Sequence, residues 1–253
     1  MSIAEAVILG IIQGLTEFLP ISSSGHLVLA QSILGIEQPG NEFEVLVHIG
    51  TLISILVVFK NDIKKLLFSL DSKKTQKFIF FLIIGTIPAI VIGLGFKDFI
   101  ESLFDNLFAV GVALIFTGII LYCTSYLTNK NKKNHSILTS SLIGCAQAVA
   151  IIPGISRSGM TISLALFLGF SSKEAARFSF LLAIPVISGA GILTSLNIKE
   201  ANEVSFLIGI IGIVTSFLVG FIALKWLLVL LEKGNIYYFG LYCLTIGLIT
   251  IFI

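Results

Sequence analysis

The chain has 253 residues, of which 56% are hydrophobic and 12% are charged, and its formal net charge is +2. Soluble domains carry roughly 25% charged residues, and the mean hydropathy of +1.06 is far above what a water-exposed surface allows. These figures exclude a soluble globular enzyme and a disordered chain. They also exclude a nucleic-acid partner, because the net charge is too small for a polyanion-binding surface. The composition predicts a polytopic membrane protein embedded in the lipid bilayer.

The first half of the chain opens with a broken apolar region, 3–36, which is interrupted by LPISSSGH at 19–26. Pro, Gly and Ser at membrane depth are tolerated only where the backbone is buried in protein or lines a wet cavity. The region therefore predicts a re-entrant hairpin of two half-length helices. Three candidate spans of about 20 residues follow, at 44–60, 77–96 and 107–127.

The second half repeats this order after a polar junction at 128–136. The region 137–170 is interrupted by IPGISRSG at 152–159 and predicts a second re-entrant hairpin. Three more candidate spans follow it, at 178–196, 204–229 and 236–253.

The two breaks match each other when the chain is shifted by 134 residues, which places Gln13 on Gln147 and Ser22 on Ser156. We interpret the chain as a duplication within a single membrane domain, with repeats at 1–127 and 137–253. Each repeat has three crossings, an odd number, so the second must be inverted relative to the first. The predicted fold is an all-α polytopic membrane protein, an inverted repeat of two halves, each with one re-entrant helical hairpin and three transmembrane helices.

The placement of lysine predicts the orientation, because cytoplasmic loops carry an excess of Lys and Arg. The loop 60–77 holds six lysines and is predicted to be cytoplasmic. The loops 97–106 and 197–203 each hold more acidic than basic residues and are predicted to lie outside. Hairpin 3–36 then enters from outside, and the site it carries is predicted to open to the external face.

Ionisable side chains in the apolar segments are the candidate functional residues, because charge at membrane depth is costly. Glu17 follows Gln13 by four residues, which puts both on one helix face. Glu17 either binds a divalent cation that bridges to a phosphate or carries a proton. Ser23 and His26, three residues apart, are a candidate nucleophile–base pair. Arg157, one of two arginines in the chain, lies inside the second break.

Each break is followed by the predicted start of a helix, whose free N–H groups and positive dipole end favour an anion. If both breaks meet, two helix ends converge with Arg157, whose guanidinium can hold a phosphate through two N–H groups. The site is therefore predicted to bind a compact anion with several oxygens. The candidate phosphate-binding residues are Gln13, Ser22, Ser24, Gly25, Ser156, Ser158 and Gly159.

Structural roles are the alternative for several of these residues. Serines beside glycine at a helix start are often caps. Arg157 and Glu17 could form a mutually neutralising buried pair. His48, on an apolar span, is interpreted as structural.

The strings QGLTEFLPISSSGH (13–26) and PGISRSG (153–159) resemble the two signature motifs of the bacterial undecaprenyl-diphosphate phosphatases, the bacitracin-resistance family. The resemblance covers essentially the whole chain, with Gln13 at a position where the motif accepts Glu or Gln. It implies hydrolysis of undecaprenyl diphosphate to undecaprenyl phosphate and phosphate, which recycles the lipid carrier of cell-wall synthesis. It also implies a multi-pass location in the bacterial plasma (inner) membrane.

The resemblance assigns catalytic roles to Glu17, Ser23, His26 and Arg157, and implies a divalent metal ion (Mg or Ca) with Glu17 as a ligand. The implied partners are the polyprenyl diphosphate lipid and the bilayer, and a homodimer is left open. Either Ser23 attacks with His26 as its base, or His26 attacks and forms a phosphohistidine; we prefer Ser23. The alternative function is a secondary transporter or flippase for a phosphate-bearing lipid or a small anion, since inverted repeats with broken helices are typical of transporters.

Overall fold

The computed structural model describes residues 1–36, 42–127, 134–197 and 204–253. Within these ranges the regular secondary structure is helical, without a strand, as the all-α prediction requires. Much of the junction predicted at 128–136 and of the loop predicted at 197–203 lies outside the described residues. The helices are α1 (Ile3–Phe18), α2 (Ser23–Leu34), α3 (Glu42–Val58), α4 (Lys60–Phe68), α5 (Lys73–Gly95), α6 (Lys97–Phe104), α7 (Leu107–Cys123), α8 (Ile137–Val149), α9 (Arg157–Phe167), α10 (Ser172–Asn197), α11 (Phe206–Glu232) and α12 (Tyr237–Ile251), with a 3-10 turn at Thr124–Tyr126.

Four helices of the described chain are long and apolar enough to cross a membrane, namely α5, α7 with the turn that follows it, α10 and α11. The pair α3 and α4 adds a fifth span if the two are taken together across their 74° bend. Helix α12 is apolar but has only 15 residues. A multi-pass helical membrane protein is therefore confirmed, and length and composition support four or five of the six predicted spans.

The bend between α3 and α4 follows from the change in sequence at Phe59. Helix α4 carries Lys60, Asp62 and Lys64 within its first five residues, and such charges are costly in hydrocarbon. The apolar part of the span predicted at 44–60 accordingly ends at Val58, and the charged helix turns away from it.

The two predicted breaks fall between short helices. Helix α1 ends at Phe18 and α2 begins at Ser23, while α8 ends at Val149 and α9 begins at Arg157. The four helices have 16, 12, 13 and 11 residues, each shorter than the roughly 20 that a span needs. The breaks are thus confirmed as breaks, and their re-entrant course stays a prediction.

Small residues let helices from the two halves approach closely. Helices α7 and α12 cross with Gly111 against Gly247 and Gly118 against Gly240, and an added Cβ at Gly118 would lie 2.8 Å from the Gly240 carbonyl oxygen. Such contacts favour association in a membrane through packing, since lipid is as apolar as the helices themselves. The α7–α12 pair therefore joins the last α-helix of each half.

Replacing Gly118 by Ala should lower the thermal stability of the purified protein in detergent, by about 1–3 kcal/mol for overpacking. The matched control is Gly189→Ala, in the interior of α10, where an added Cβ meets nothing within 4 Å. Both changes raise helix propensity equally, so the difference between their melting temperatures reports the α7–α12 contact. Equal melting temperatures would show that the α7–α12 contact accommodates an added methyl group without loss of stability.

Candidate active site

The two breaks pack directly against each other. An added Cβ at Gly25 would lie 3.1 Å from the Cα of Gly154, which is closer than Cβ atoms ordinarily approach, so the breaks are in tight contact at these two glycines. The Ser158 hydroxyl donates a hydrogen bond to the Leu19 carbonyl at 3.4 Å. The starts of α2 and α9 therefore converge, as the sequence predicts for a site shared by both halves.

Glu17 lies at the centre of this junction and is buried, with its side chain 6% exposed. Its Oε1 accepts a hydrogen bond from Arg157 Nη2 at 2.5 Å. Its Oε2 accepts from Ser23 Oγ at 2.7 Å and from Gln13 Nε2 at 3.0 Å. Four of the predicted site residues are thus brought into one hydrogen-bonded group, although two of them are 140 positions apart.

Arg157 has donor capacity that the protein does not use. Its Nη1 is buried and has no hydrogen-bond partner among the described residues. An unpaired buried donor of this kind is costly, and it suits an oxygen of a bound anion. Arg157 can therefore hold Glu17 with one nitrogen and a ligand oxygen with the other.

Glu17, Ser23 and Arg157 of this group line a cavity of about 570 Å³, which is large enough for a small ligand or lipid head group. The other side of the cavity includes Glu44, Glu101 and Asp105, the last two from the loop predicted to lie outside. The predicted site residues that line it are Glu17, Ser22, Ser23, Ser24, Ser156 and Arg157.

Four predicted phosphate-binding residues do not line the cavity: Gln13, Gly25, Ser158 and Gly159. Gln13 is fully buried behind Glu17, and the other three are packed where the breaks touch. Their contact with phosphate stays a prediction. Their observed hydrogen bonds are with other residues of the site and of the two breaks.

Ser22 and Ser156 cap the two helices, which supports the structural alternative for both. Ser22 Oγ accepts from the Gly25 N–H at 3.3 Å, and Ser156 Oγ accepts from the Gly159 N–H at 3.1 Å. Ser22 also has a backbone φ of 71°, the one positive φ outside glycine in the described chain. This conformation costs roughly 1–3 kcal/mol, and it presents the next residue, Ser23, to Glu17.

The expected Ser23–His26 pair is not formed. His26 Nδ1 lies 2.8 Å from the Ser22 carbonyl oxygen, and its Nε2 lies 2.9 Å from Tyr242 Oη. The hydroxyl of Ser23 is bonded to Glu17 instead. The imidazole is held by the Ser22 carbonyl and Tyr242, and Glu17, from the preceding helix, takes the place expected for the base.

His48 is the site residue that the sequence analysis misses. It lines the cavity with Nε2 3.6 Å from Glu17 Oε2, and its Nδ1 lies 2.7 Å from the Glu44 carbonyl oxygen. Glu44 lines the same cavity four residues earlier on α3. This i, i+4 pair on an otherwise apolar span is the signal that could have revealed it.

The described residues do not build a ligand set for a divalent metal ion. Among them, no group of three or more His, Cys, Asp or Glu side chains is placed to hold one. Glu17, the predicted ligand, has both oxygens bonded to protein donors, one of them a guanidinium.

Comparison with known proteins places these residues in a family. A family model described as "Bacitracin resistance protein BacA" matches residues 6–249. An undecaprenyl-diphosphatase of Halothermothrix orenii is 44% identical over 99% of this chain and 98% of its own length. A protein of Bacillus anthracis named undecaprenyl-diphosphatase 3 is 41% identical over 98% of this chain and 97% of its own length. An undecaprenyl-diphosphatase of Korarchaeum cryptofilum is also 41% identical, over 98% of each chain.

Replacing Arg157 by Met should leave the Glu17 carboxylate buried without a counter-charge. Breaking a buried pair in this way costs about 3–5 kcal/mol, so the melting temperature in detergent should fall clearly. Adding Glu17→Gln to Arg157→Met removes the stranded charge and should recover most of the loss. If the double variant is no more stable than Arg157→Met, the ion pair is not what Arg157 contributes to stability.

Proposed function

We propose that this chain, which belongs to the bacitracin resistance protein BacA family, hydrolyses undecaprenyl diphosphate to undecaprenyl phosphate and phosphate. Relatives that bear the name undecaprenyl-diphosphatase align with it over nearly their whole length. The reaction recycles the lipid carrier of cell-wall synthesis and is consistent with bacitracin resistance in the family name. The partners are then the polyprenyl diphosphate lipid and the bilayer that holds its tail.

The observation that carries this proposal is the placement of one hydroxyl, one carboxylate and one guanidinium around the cavity. Ser23 donates to Glu17 at 2.7 Å, and Arg157 lines the cavity and has a buried Nη1 without a hydrogen-bond partner among the described residues. A hydroxyl that donates to a carboxylate is arranged for attack with general-base assistance. The unused guanidinium nitrogen matches an oxygen of the phosphoryl group to be transferred.

In the first step, Ser23 Oγ attacks the terminal phosphorus and passes its proton to Glu17. The bond from that phosphorus to the bridging oxygen breaks, and undecaprenyl phosphate leaves with the bonding electrons. Arg157 and the N–H groups at the starts of α2 and α9 stabilise the negative charge on the transferred group. This accounts for a carboxylate in a phosphate site, since Glu17 serves as the proton acceptor.

In the second step, water attacks the phosphoserine. Glu17 returns its proton to Ser23 Oγ as the P–O bond breaks, and the water contributes the hydroxyl of hydrogen phosphate while its other proton passes to solvent. The enzyme returns to its starting protonation state. His26 takes no part as nucleophile in this scheme, because both its ring nitrogens are bonded away from the cavity.

The divalent metal ion, Mg or Ca, stays a prediction; the described side chains do not form a ligand set for it, and it would offset negative charge on the diphosphate. Phosphate release measured with a chelator, and again after the metal is restored, tests this. Release that is unaffected by the chelator would remove the metal from the proposal.

We also propose that the site opens to the external face of the bacterial plasma membrane. The cavity reaches Glu101 and Asp105, which lie in the loop that the lysine distribution places outside. The lysines of α4 and the start of α5 are absent from its lining.

The inverted repeat is likewise a proposal, supported by the packing of equivalent helices. The shift of 134 residues relates α1 to α8 and α5 to α11; α1 packs against α11, and α8 packs against α5. Helices α7 and α12, each the last α-helix of its half, pack against each other. Such exchange is the contact pattern of two repeats related by a two-fold axis. The homodimer stays a prediction.

Phosphate release from undecaprenyl diphosphate by purified protein in detergent is the direct test of the function. Detergent abolishes any transmembrane gradient, so steady release marks an enzyme. Binding without release would favour the transporter or flippase alternative.

Arg157→Lys should lower turnover about 10- to 150-fold. Lysine keeps the charge and can pair with Glu17, but it lacks the planar fork that holds two oxygens at once. Losing one charge-assisted hydrogen bond costs about 1.5–3 kcal/mol, and each 1.36 kcal/mol is tenfold in rate. Turnover and melting temperature should be measured together. Near-normal turnover, or a loss matched by unfolding, would leave Arg157 as a structural counter-ion only.

A cysteine at Ser102, exposed on α6, should react with a membrane-impermeant thiol reagent added to intact cells. A cysteine at Ser72, exposed before α5, should react only after the cells are opened. The three native cysteines must first be replaced. The reverse labelling pattern would invert the proposed orientation and leave the reaction untouched.

A further inference from the structure

Tyr242 of α12 lies against His26 of α2, in the other half of the chain. Its Oη is 2.9 Å from His26 Nε2, and the two rings are stacked with centroids 5.6 Å apart and planes 11° from parallel. Tyr242 lies outside both motifs and has no part in the proposed reaction steps.

The hydrogen bonds around His26 fix which nitrogen carries its proton. The Ser22 carbonyl oxygen, 2.8 Å from Nδ1, can only accept, so Nδ1 must donate. In the neutral imidazole Nε2 is then the acceptor, and Tyr242 must donate its hydroxyl proton to it. The Tyr242 hydroxyl thus stabilises the tautomer that binds the Ser22 carbonyl.

The Ser22 carbonyl belongs to the strained turn that presents Ser23. It accepts from the backbone N–H of His26 at 3.2 Å as well as from the ring. Ser22 has the positive φ of 71°, and Ser23 begins α2 with its hydroxyl on Glu17. Contacts that hold this carbonyl therefore hold the orientation of Ser23.

The neighbouring residue on α12 supports the same turn. The Cys243 thiol lies 3.7 Å from the Pro20 carbonyl oxygen, within the first break. Helix α7, the partner of α12, acts on the second break in the same way: Thr117 Oγ1 donates to the Gly154 carbonyl and accepts from the Ser156 N–H. The α7–α12 pair therefore braces both breaks from one side.

We propose that Tyr242 is a positioning residue for the phosphatase reaction, acting through the tautomer of His26 and the Ser22 carbonyl to hold Ser23 against Glu17. The expected effect on kcat rests on the proposed function. The hydrogen bond from Tyr242 to His26 and the tautomer it stabilises do not. His26 is accordingly the link between α12 and the reactive turn.

Tyr242→Phe tests this, because it removes the hydroxyl and keeps the stacked ring. The kcat for phosphate release should fall about 2- to 12-fold, the effect of one neutral hydrogen bond, with KM unchanged, since Ser23 acts in the chemical step. The matched control is Tyr126→Phe, which should leave kcat unchanged, because Tyr126 is 73% exposed in the 3-10 turn after α7.

A second measurement does not depend on activity. The protein has three histidines, so ¹⁵N labelling of histidine gives three side-chain signal sets, which His48→Gln and His135→Gln variants assign. At alkaline pH, His26 should show the Nδ1–H tautomer in the unsubstituted protein. In Tyr242→Phe its ring ¹⁵N shifts should move toward a mixture of tautomers, while those of His48 and His135 stay in place.

The two arms separate the possible failures. If the unsubstituted protein releases no phosphate, the proposed function fails, and the ¹⁵N shifts still decide the hydrogen bond. Unchanged His26 shifts in Tyr242→Phe overturn the tautomer argument. Changed shifts with unchanged kcat overturn the positioning role, as does a fall in kcat that Tyr126→Phe reproduces.

Discussion

The site depends on one ion pair in the apolar interior, between Glu17 and Arg157. Either charge alone would be costly at membrane depth, so each makes the other tolerable. The two residues sit at different breaks, and the pair therefore fixes the position of one break relative to the other. The second oxygen of Glu17 then remains for Ser23, and the second nitrogen of Arg157 faces no protein acceptor among the described residues. The remaining oxygen of Glu17 and the remaining nitrogen of Arg157 are therefore the groups around which the proposed binding and reaction site is built.

The packing around the pair relates the two halves, while the reactive groups differ between them. In the alignment of the breaks, Ser23 falls on Arg157 and His26 on Met160, so each half supplies what the other lacks. The helices that support the two breaks correspond more closely between the halves than the reactive residues do. Helix α12 contacts the first break through Tyr242 and Cys243, and α7 contacts the second through Thr117. A duplicated scaffold can in this way build a single asymmetric site.

Irregular backbone at this depth is possible because its polar groups are satisfied inside the protein. Serine caps bond the N–H group of the third residue of α2 and of α9, and hydroxyls bond carbonyls of the breaks. Glycines supply the room: Gly25 faces Gly154 across the breaks, and Gly118 faces Gly240 beneath them. The same close packing leaves Gln13 and Ser158 buried as supports.

The sequence by itself determined the helical membrane fold, the place of both breaks, and Glu17, Ser23 and Arg157 as one group, because hydropathy and breaker residues are local properties and buried charge is rare. It did not determine the partner of Ser23, the cavity position of His48, or the contact between His26 and Tyr242, which are 216 residues apart. Only the tertiary structure decided these. Hydrogen-bond partners depend on the direction of side chains from separate helices, and spacing along one chain cannot encode where another helix places its donor.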